Sequence, residues 1–144
     1  MISTKGRYAL RVMVDLAVYS EGRYIALKDI SRRQEISLKY LEQVISLMNK
    51  AGFLHSLRGN NGGYRLARSP KDYTAGDILR AAEGTLVPIA CLQDEYNQCE
   101  RKDRCTTLKF WENFDKVIED YVDIVILQDL ADNAKEMSGD YYTI

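Results

Sequence analysis

Long apolar runs are missing from this chain. No stretch of 18 apolar residues occurs among its 144, so no membrane-spanning helix is expected. The N-terminus, MISTKGRYAL, is polar and basic from the fourth residue and has neither a long apolar core nor a small-residue cleavage site. No secretory signal is therefore expected, and the cytoplasm is the expected compartment. Histidine is almost absent, with one copy at His55. A cysteine nucleophile needs a nearby base, and His55 lies far in sequence from every cysteine, so the chain is not expected to be an enzyme. Cysteines number three, odd for a disulfide framework, and structural disulfides are rare where thiols stay reduced. No internal repeat or low-complexity segment is present.

What is present is a soluble globular composition, 46% hydrophobic and 28% charged, at a length that suits one domain or a small domain with an appended arm. The net charge of −1 conceals an asymmetry. Residues 1–73 carry 13 Lys+Arg against 6 Asp+Glu, a net of +7; residues 74–144 carry 7 against 15, a net of −8. A basic half joined to an acidic half points to a polyanion that meets only the first half. An ordinary solvated helix surface is the plainer alternative.

Hydrophobic spacing places the elements. Thr4 is the expected cap of a helix to about Ser20, with Ala9, Leu10, Met13, Leu16 and Ala17 on one stripe. A short helix follows from about Leu27 to Gln34. After a tight turn at Glu35-Ile36, Ser37 caps a third helix to about Ala51, its inner face Leu38, Leu41, Val44, Ile45 and Met48, with Gly52 as its stop. Phe53 to Arg58 and Tyr64 to Leu66 read as strands joined by GNNGG, a hairpin. Thr74 and Asp77 form a variant capping box before a fourth helix that Gly84 ends. A polar loop from about Thr85 to Thr106 leads to a long helix with the stripe Trp111, Phe114, Ile118, Tyr121, Val122 and Val125. Little chain remains to cover that stripe, so burial against a second copy is expected, followed by a loosely ordered DYYTI tail. The expected fold is mainly α with a small β-hairpin wing. Residues 1–84 form a winged helix-turn-helix, 85–106 a cysteine loop, and 107–144 a dimerisation helix with its tail.

In such a fold the third helix enters the major groove of double-stranded DNA. Lys39, Gln43, Ser46 and Lys50 make its outer stripe, with Tyr40 beside it. Gln reads adenine edges, while Lys and Tyr hold phosphates or bases. Ser37 and the helix N-terminus suit a phosphate. Arg58 precedes Gly59-Asn60-Asn61-Gly62-Gly63; small residues such as Asn61, Gly62 and Gly63 let a backbone approach DNA, and one Arg at such a tip suits the minor groove. Lys5 and Arg7 add candidate phosphate contacts. Taken singly, each feature has an ordinary alternative as a solvated face or a plain turn. Their order on the basic half favours DNA.

The connected series STKGRYAL, ISLKYLEQ, RGNNGGYRLARSP and TAGDILRAAEG resembles the small bacterial winged-helix regulators that include IscR, NsrR and CymR, over essentially the whole chain. The resemblance implies a homodimer built on the long helix, a roughly palindromic operator, and DNA contacts at Ser37, Lys39, Tyr40, Glu42, Gln43 and Arg58. Glu42 would accept from a cytosine amino group.

The same family divides on the loop. Its IscR-like and NsrR-like members carry three cysteines there that bind an iron–sulfur cluster, whereas CymR-like members lack them. Cys91, Cys99 and Cys105 resemble the cluster-binding branch, and thiolates are the ligands such clusters prefer. A 2Fe-2S cluster is the implied cofactor. Its fourth ligand is open: the position of the IscR-like histidine is Leu108, that of the NsrR-like acid is Arg7, and neither coordinates metal. Asp94, Glu95, Asn97, Glu100, Asp103 or a small exogenous ligand remain. Zinc would face the same shortage. A thiol–disulfide switch is a further alternative, as is a CymR-like regulator that works without a cluster through an enzyme of cysteine synthesis. Inert surface thiols are the plainest.

Overall fold

The computed structural model describes residues 1–142, with side chains as far as Gly139. Helix α1 (Thr4–Tyr19) is followed by α2 (Leu27–Gln34) and α3 (Leu38–Lys50), then strands β1 (Leu54–Leu57) and β2 (Gly63–Leu66), α4 (Ala75–Glu83), α5 (Leu108–Ile124) and α6 (Leu127–Tyr142). This is the expected order of a winged helix-turn-helix through α4. Ser3, not Thr4, caps α1: its hydroxyl accepts from Lys5 N, and Thr4 is already helical. Ser37 caps α3 by accepting from Tyr40 N, and Thr74 with Asp77 makes a complete capping box on α4.

Ala9, Val12, Met13 and Leu16 of α1 meet Ile30 of α2 and Leu41, Val44, Ile45 and Met48 of α3 in one core, closed by Leu54, Tyr73, Ile78 and Leu127. Leu38 does not join it. It stands in the first turn of α3 and is 48% exposed, where the helix projects beyond the elements that cover Leu41 to Met48. The α2–α3 turn carries no glycine, and Glu35 takes the left-handed conformation there (φ 55°, ψ 44°). One buried ion pair braces α1 against α2. Asp15, fully buried, accepts from Arg33 Nε at 2.9 Å, Arg33 Nη2 at 2.7 Å and Gln34 Nε2 at 2.9 Å.

The wing is antiparallel, with Leu54 opposite Leu66 and Leu57 opposite Gly63. Ile25 pairs with the outer edge of β2 through two hydrogen bonds to Tyr64, at 2.8 and 2.9 Å, so the wing is fastened to the α1–α2 connection.

The region after the loop departs from the single long helix expected. The chain leaves helix at Val125 and Ile126 because their backbone is claimed elsewhere. Ala75 N donates to Val125 O, Leu127 N donates to Tyr73 O, and Ile126 bridges Thr74. The remaining residues form α6, which lies against α1 and buries Leu127 and Ala131. Of the expected loose DYYTI tail, the backbone to Tyr142 is helical, and the rest lies outside the described residues.

Candidate nucleic-acid interface and cysteine loop

The outer face of α3 is open. Lys39, Glu42, Gln43 and Ser46 are exposed, and with Leu47 they border a shallow recess whose far side is Lys5 from α1. The first turn of α1 and the outer face of α3 therefore border one recess. Tyr40 is half-buried, its ring packed edge-on against Tyr8 at 5.3 Å, and Arg11 lies over Tyr8 at 5.1 Å. This fixes Tyr40 and leaves it less free than the lysines. Arg7 is exposed on the same first turn. Leu38, expected inside, instead adds an apolar spot between Ser37 and Lys39. Periodicity could not reveal this, because it reports a residue's side of a helix but not where the covering elements stop.

At the wing tip Arg58, Asn60 and Asn61 are exposed. Gly62 and Gly63 have a reason of their own. A Cβ on Gly62 would stand 2.0 Å from Leu57 O, and one on Gly63 (φ +151°) would stand 2.1 Å from Ile25 O. The wing's own backbone requires both glycines, whatever lies outside. Arg65 does not point to the tip; it donates to Gly22 O at 2.8 Å and stacks over Tyr24. His55 is exposed on β1, paired with Arg65.

The loop between α4 and α5 carries the thiols on the surface. Cys99 and Cys105 are exposed, Cys91 is half-exposed, and all three are free. Single 3-10 turns at Ala90–Leu92 and Lys102–Arg104 are its regular structure. Among the described residues no three His, Cys, Asp or Glu side chains are gathered as a metal-ion site. The donor chemistry nevertheless suits iron. Cys105 Sγ lies 3.6 Å from Thr107 Oγ1, and this contact, followed by backbone N–H groups of Thr107 and Leu108, holds its thiol below the ordinary range. Cys91 borders a polar recess with Asp94, Glu95, Leu108, Glu112 and Asp115. Asp115 Oδ1 is buried without a hydrogen-bond partner there; burial, with Glu119 nearby, pushes its carboxyl up. Glu112 and Asp115 thus add oxygen donors that the loop sequence alone did not indicate.

The stripe expected on the long helix is divided. Val122 and Ile118 pack on Leu79 and Leu86, in the chain's own interior. With Trp111, Phe114 and the loop residues Pro88 and Ile89 they line an apolar groove. Phe110, Val117, Tyr121 and Ile124 face solvent instead, Val117 at 65% and Ile124 at 74% exposure, and Phe114, exposed as well, stands between the groove and this row. Their spacing of four and three is that of a coiled-coil seam. Val125 has left the helix altogether. Phe110, Val117 and Ile124 were missed by the sequence reading, although the four-three spacing is visible in the chain.

The family model for Rrf2, described as an iron-dependent transcriptional regulator, matches residues 2–133. The chain belongs to the Rrf2 family. An Rrf2 relative, the HTH-type transcriptional regulator IscR of Pectobacterium carotovorum, is 36% identical over 132 residues, 92% of this chain and 79% of that one. Two solved structures superpose with a TM-score of 0.76 at 38% identity: CymR, the global cysteine regulator of B. subtilis, covering 92% of this chain and 97% of that one, and T. potens IscR, covering 95% and 90%. The chain is thus a DNA-binding transcriptional regulator and not an enzyme, and its likeness to the two branches is equal in fold. No helix among the described residues is long and apolar enough to cross a membrane.

Proposed function

We propose that this Rrf2 protein is a homodimeric, sequence-specific regulator, acting as a repressor, that senses iron–sulfur or redox status through Cys91, Cys99 and Cys105. The observation that carries the reading is the placement of all three thiols in the one segment joining α4 to α5, exposed and free. Support for the homodimer is the seam Phe110, Phe114, Val117, Tyr121 and Ile124, which the described residues leave uncovered. In the dimer, two copies of α3 would meet successive major grooves of a roughly palindromic operator. Lys39, Gln43, Glu42 and Leu38 would face base edges; Ser37, Tyr40, Lys5 and Arg7 would face phosphates, and Arg58 and Asn61 the minor groove. Gly62 and Gly63 shape the wing tip for that contact.

The three cysteines would hold a 2Fe-2S cluster, with an oxygen donor near Cys91 as fourth ligand; bound, the cluster supplies a redox-sensitive crosslink between loop segments. Drawing Cys91, Cys99 and Cys105 together shortens the α4–α5 connection and biases the tilt of α5 and so the spacing of the two heads. The test is the visible absorption and the iron and sulfide content of protein purified without oxygen. Charge-transfer bands with stoichiometric iron and sulfide are expected. A colourless protein after attempted reconstitution would sink the cluster.

A second reading has its own observation. Among the described residues the thiols are free and not gathered, Cys99 and Cys105 are exposed, and Cys105 is biased toward thiolate, which suits a regulator that works by a cluster-free thiol–disulfide switch. A colourless protein whose operator affinity changes with peroxide, and recovers with thiol reductant, would select it.

A further inference from the structure

Two of the sequence signatures, STKGRYAL and TAGDILRAAEG, meet in space at a point that neither the outer face of α3 nor the cysteine loop explains. Glu83, the last residue of α4, lies across the start of α1. Its Oε1 accepts from Ser3 N at 2.8 Å, Ser3 Oγ at 2.7 Å and Gly6 N at 2.9 Å. The carboxylate thus satisfies N–H groups that open the helix and have no intrahelical partner. Gly6 is buried, and a Cβ there would stand 2.6 Å from Glu83 Oε1. Glycine at this position leaves the space in which the carboxylate sits. Burial pushes the Glu83 carboxyl up, but the hydrogen bonds from Ser3 and Gly6 and the N-terminal charge outweigh this and hold it below its usual range.

Between Ser3 and Gly6 lies Lys5, the α1 residue that borders the recess beside Lys39, Glu42 and Gln43. Fixing the first turn of α1 fixes where that ammonium is presented. On the other side of Glu83, Gly84 (φ +85°) begins the cysteine loop. One carboxylate therefore joins the residue before the loop to the turn of α1 that carries Lys5 at the recess. Elsewhere on α4, Arg80 binds Asp123 through two hydrogen bonds of 2.8 Å and also Glu119, tying the same helix to α5.

We propose that Glu83 is a positioning residue for operator binding: by bridging Ser3 and Gly6 it sets the first turn of α1 so that Lys5 contacts a phosphate beside the recognition helix. The proposal rests on the reading of Lys5 as a DNA contact. In this role Glu83 acts through the first turn of α1 and makes no phosphate contact of its own, because carboxylate and phosphate repel.

The test uses the full-length protein and a duplex selected by the wild type from a random-sequence pool, with affinity measured between about 50 and about 200 mM salt. Losing one phosphate contact lowers the slope of log K against log salt by about 0.9. E83A and K5Q are each expected to lower it by that amount, with affinity about three- to tenfold weaker at the low-salt end, and the double variant is expected to match K5Q alone. G6A approaches the latch from the other side. Its methyl would meet Glu83 Oε1 at 2.6 Å, Ile2 Cγ2 at 3.1 Å and Glu83 Cγ at 3.2 Å, all side-chain atoms that can give way, so the fold is kept, and it is expected to reproduce the loss in the wild-type background but not on top of E83A. E83Q, which keeps an acceptor oxygen, is expected to restore most of the slope. A purely structural cap would alter thermal stability and leave the slope alone. A wild-type slope in E83A, or losses in E83A and K5Q that add, would overturn the proposal. If K5Q itself left the slope unchanged, the Lys5 contact and this proposal would fall together, while operator binding by the wild type would leave the regulator reading standing. A wild-type protein that enriched no duplex would sink that reading.

Discussion

Arg33 and Arg80 each tie two helices together, and the two settings differ. Arg33 joins α1 and α2 through an Asp15 carboxylate that no solvent reaches, inside a core that α6 and the wing close. Arg80 joins α4 and α5 through Glu119 and Asp123, all three about a third to a half exposed. The reading head completes its interior within one chain. Around α5 the chain covers only the side bearing Ile118 and Val122 and leaves an aromatic and aliphatic seam in water. A closed head and an uncovered helix suit the two tasks proposed for them: the first would hold side chains in register for base edges, and the second would meet another copy and shift against it.

That contrast can be broken in measurable ways. The largest effect is expected from Arg33→Ala, which strands a buried carboxylate and should cost about 3–5 kcal/mol in urea unfolding. Arg80→Ala, measured the same way, should cost about 0–1 kcal/mol, because its pairs are screened by water. Equal losses would erase the distinction between the two regions. Next, Val117→Lys places a charge in the exposed seam. It should weaken self-association about a hundredfold in sedimentation equilibrium, with little change in the unfolding of the head; unchanged association would move the dimer contact elsewhere. The smallest effect concerns the loop. The Thr107 hydroxyl lowers the Cys105 pKa, so the thiolate that alkylation requires is present at lower pH than for an ordinary thiol. Thr107→Val should slow Cys105 labelling a few-fold at neutral pH and shift its pH profile upward. An unchanged profile would show that the hydroxyl has no hold on the thiol.

Much of the head was legible in the chain. The stripes of α1 and α3, the Thr74–Asp77 box and the GNNGG turn are local patterns, and local patterns survive without knowledge of neighbours. The second half was harder. Residues 108–142 look like one helix and a tail because nothing in IVIL announces a break; Val125 and Ile126 leave helix because the Tyr73–Ala75 segment, about fifty residues earlier, takes backbone groups of Val125, Ile126 and Leu127. Leu38 fits the inner stripe by spacing, yet its covering ends one turn too soon. The long-helix stripe was read as one surface, whereas α4 claims Ile118 and Val122 and leaves Tyr121 outside.

The candidate site divides along the same line. Composition, charge asymmetry and motif order pointed to a DNA-binding regulator with a three-thiol loop, since each follows from residue type and spacing. Folding decided which atoms share a place: that Glu83 occupies the space a Gly6 side chain would need, that Gly62 and Gly63 yield to Leu57 and Ile25 backbone, and that Cys91 faces Glu112 and Asp115. Periodicity describes a residue's relation to its own helix or strand, and these contacts are made with segments the local pattern does not contain.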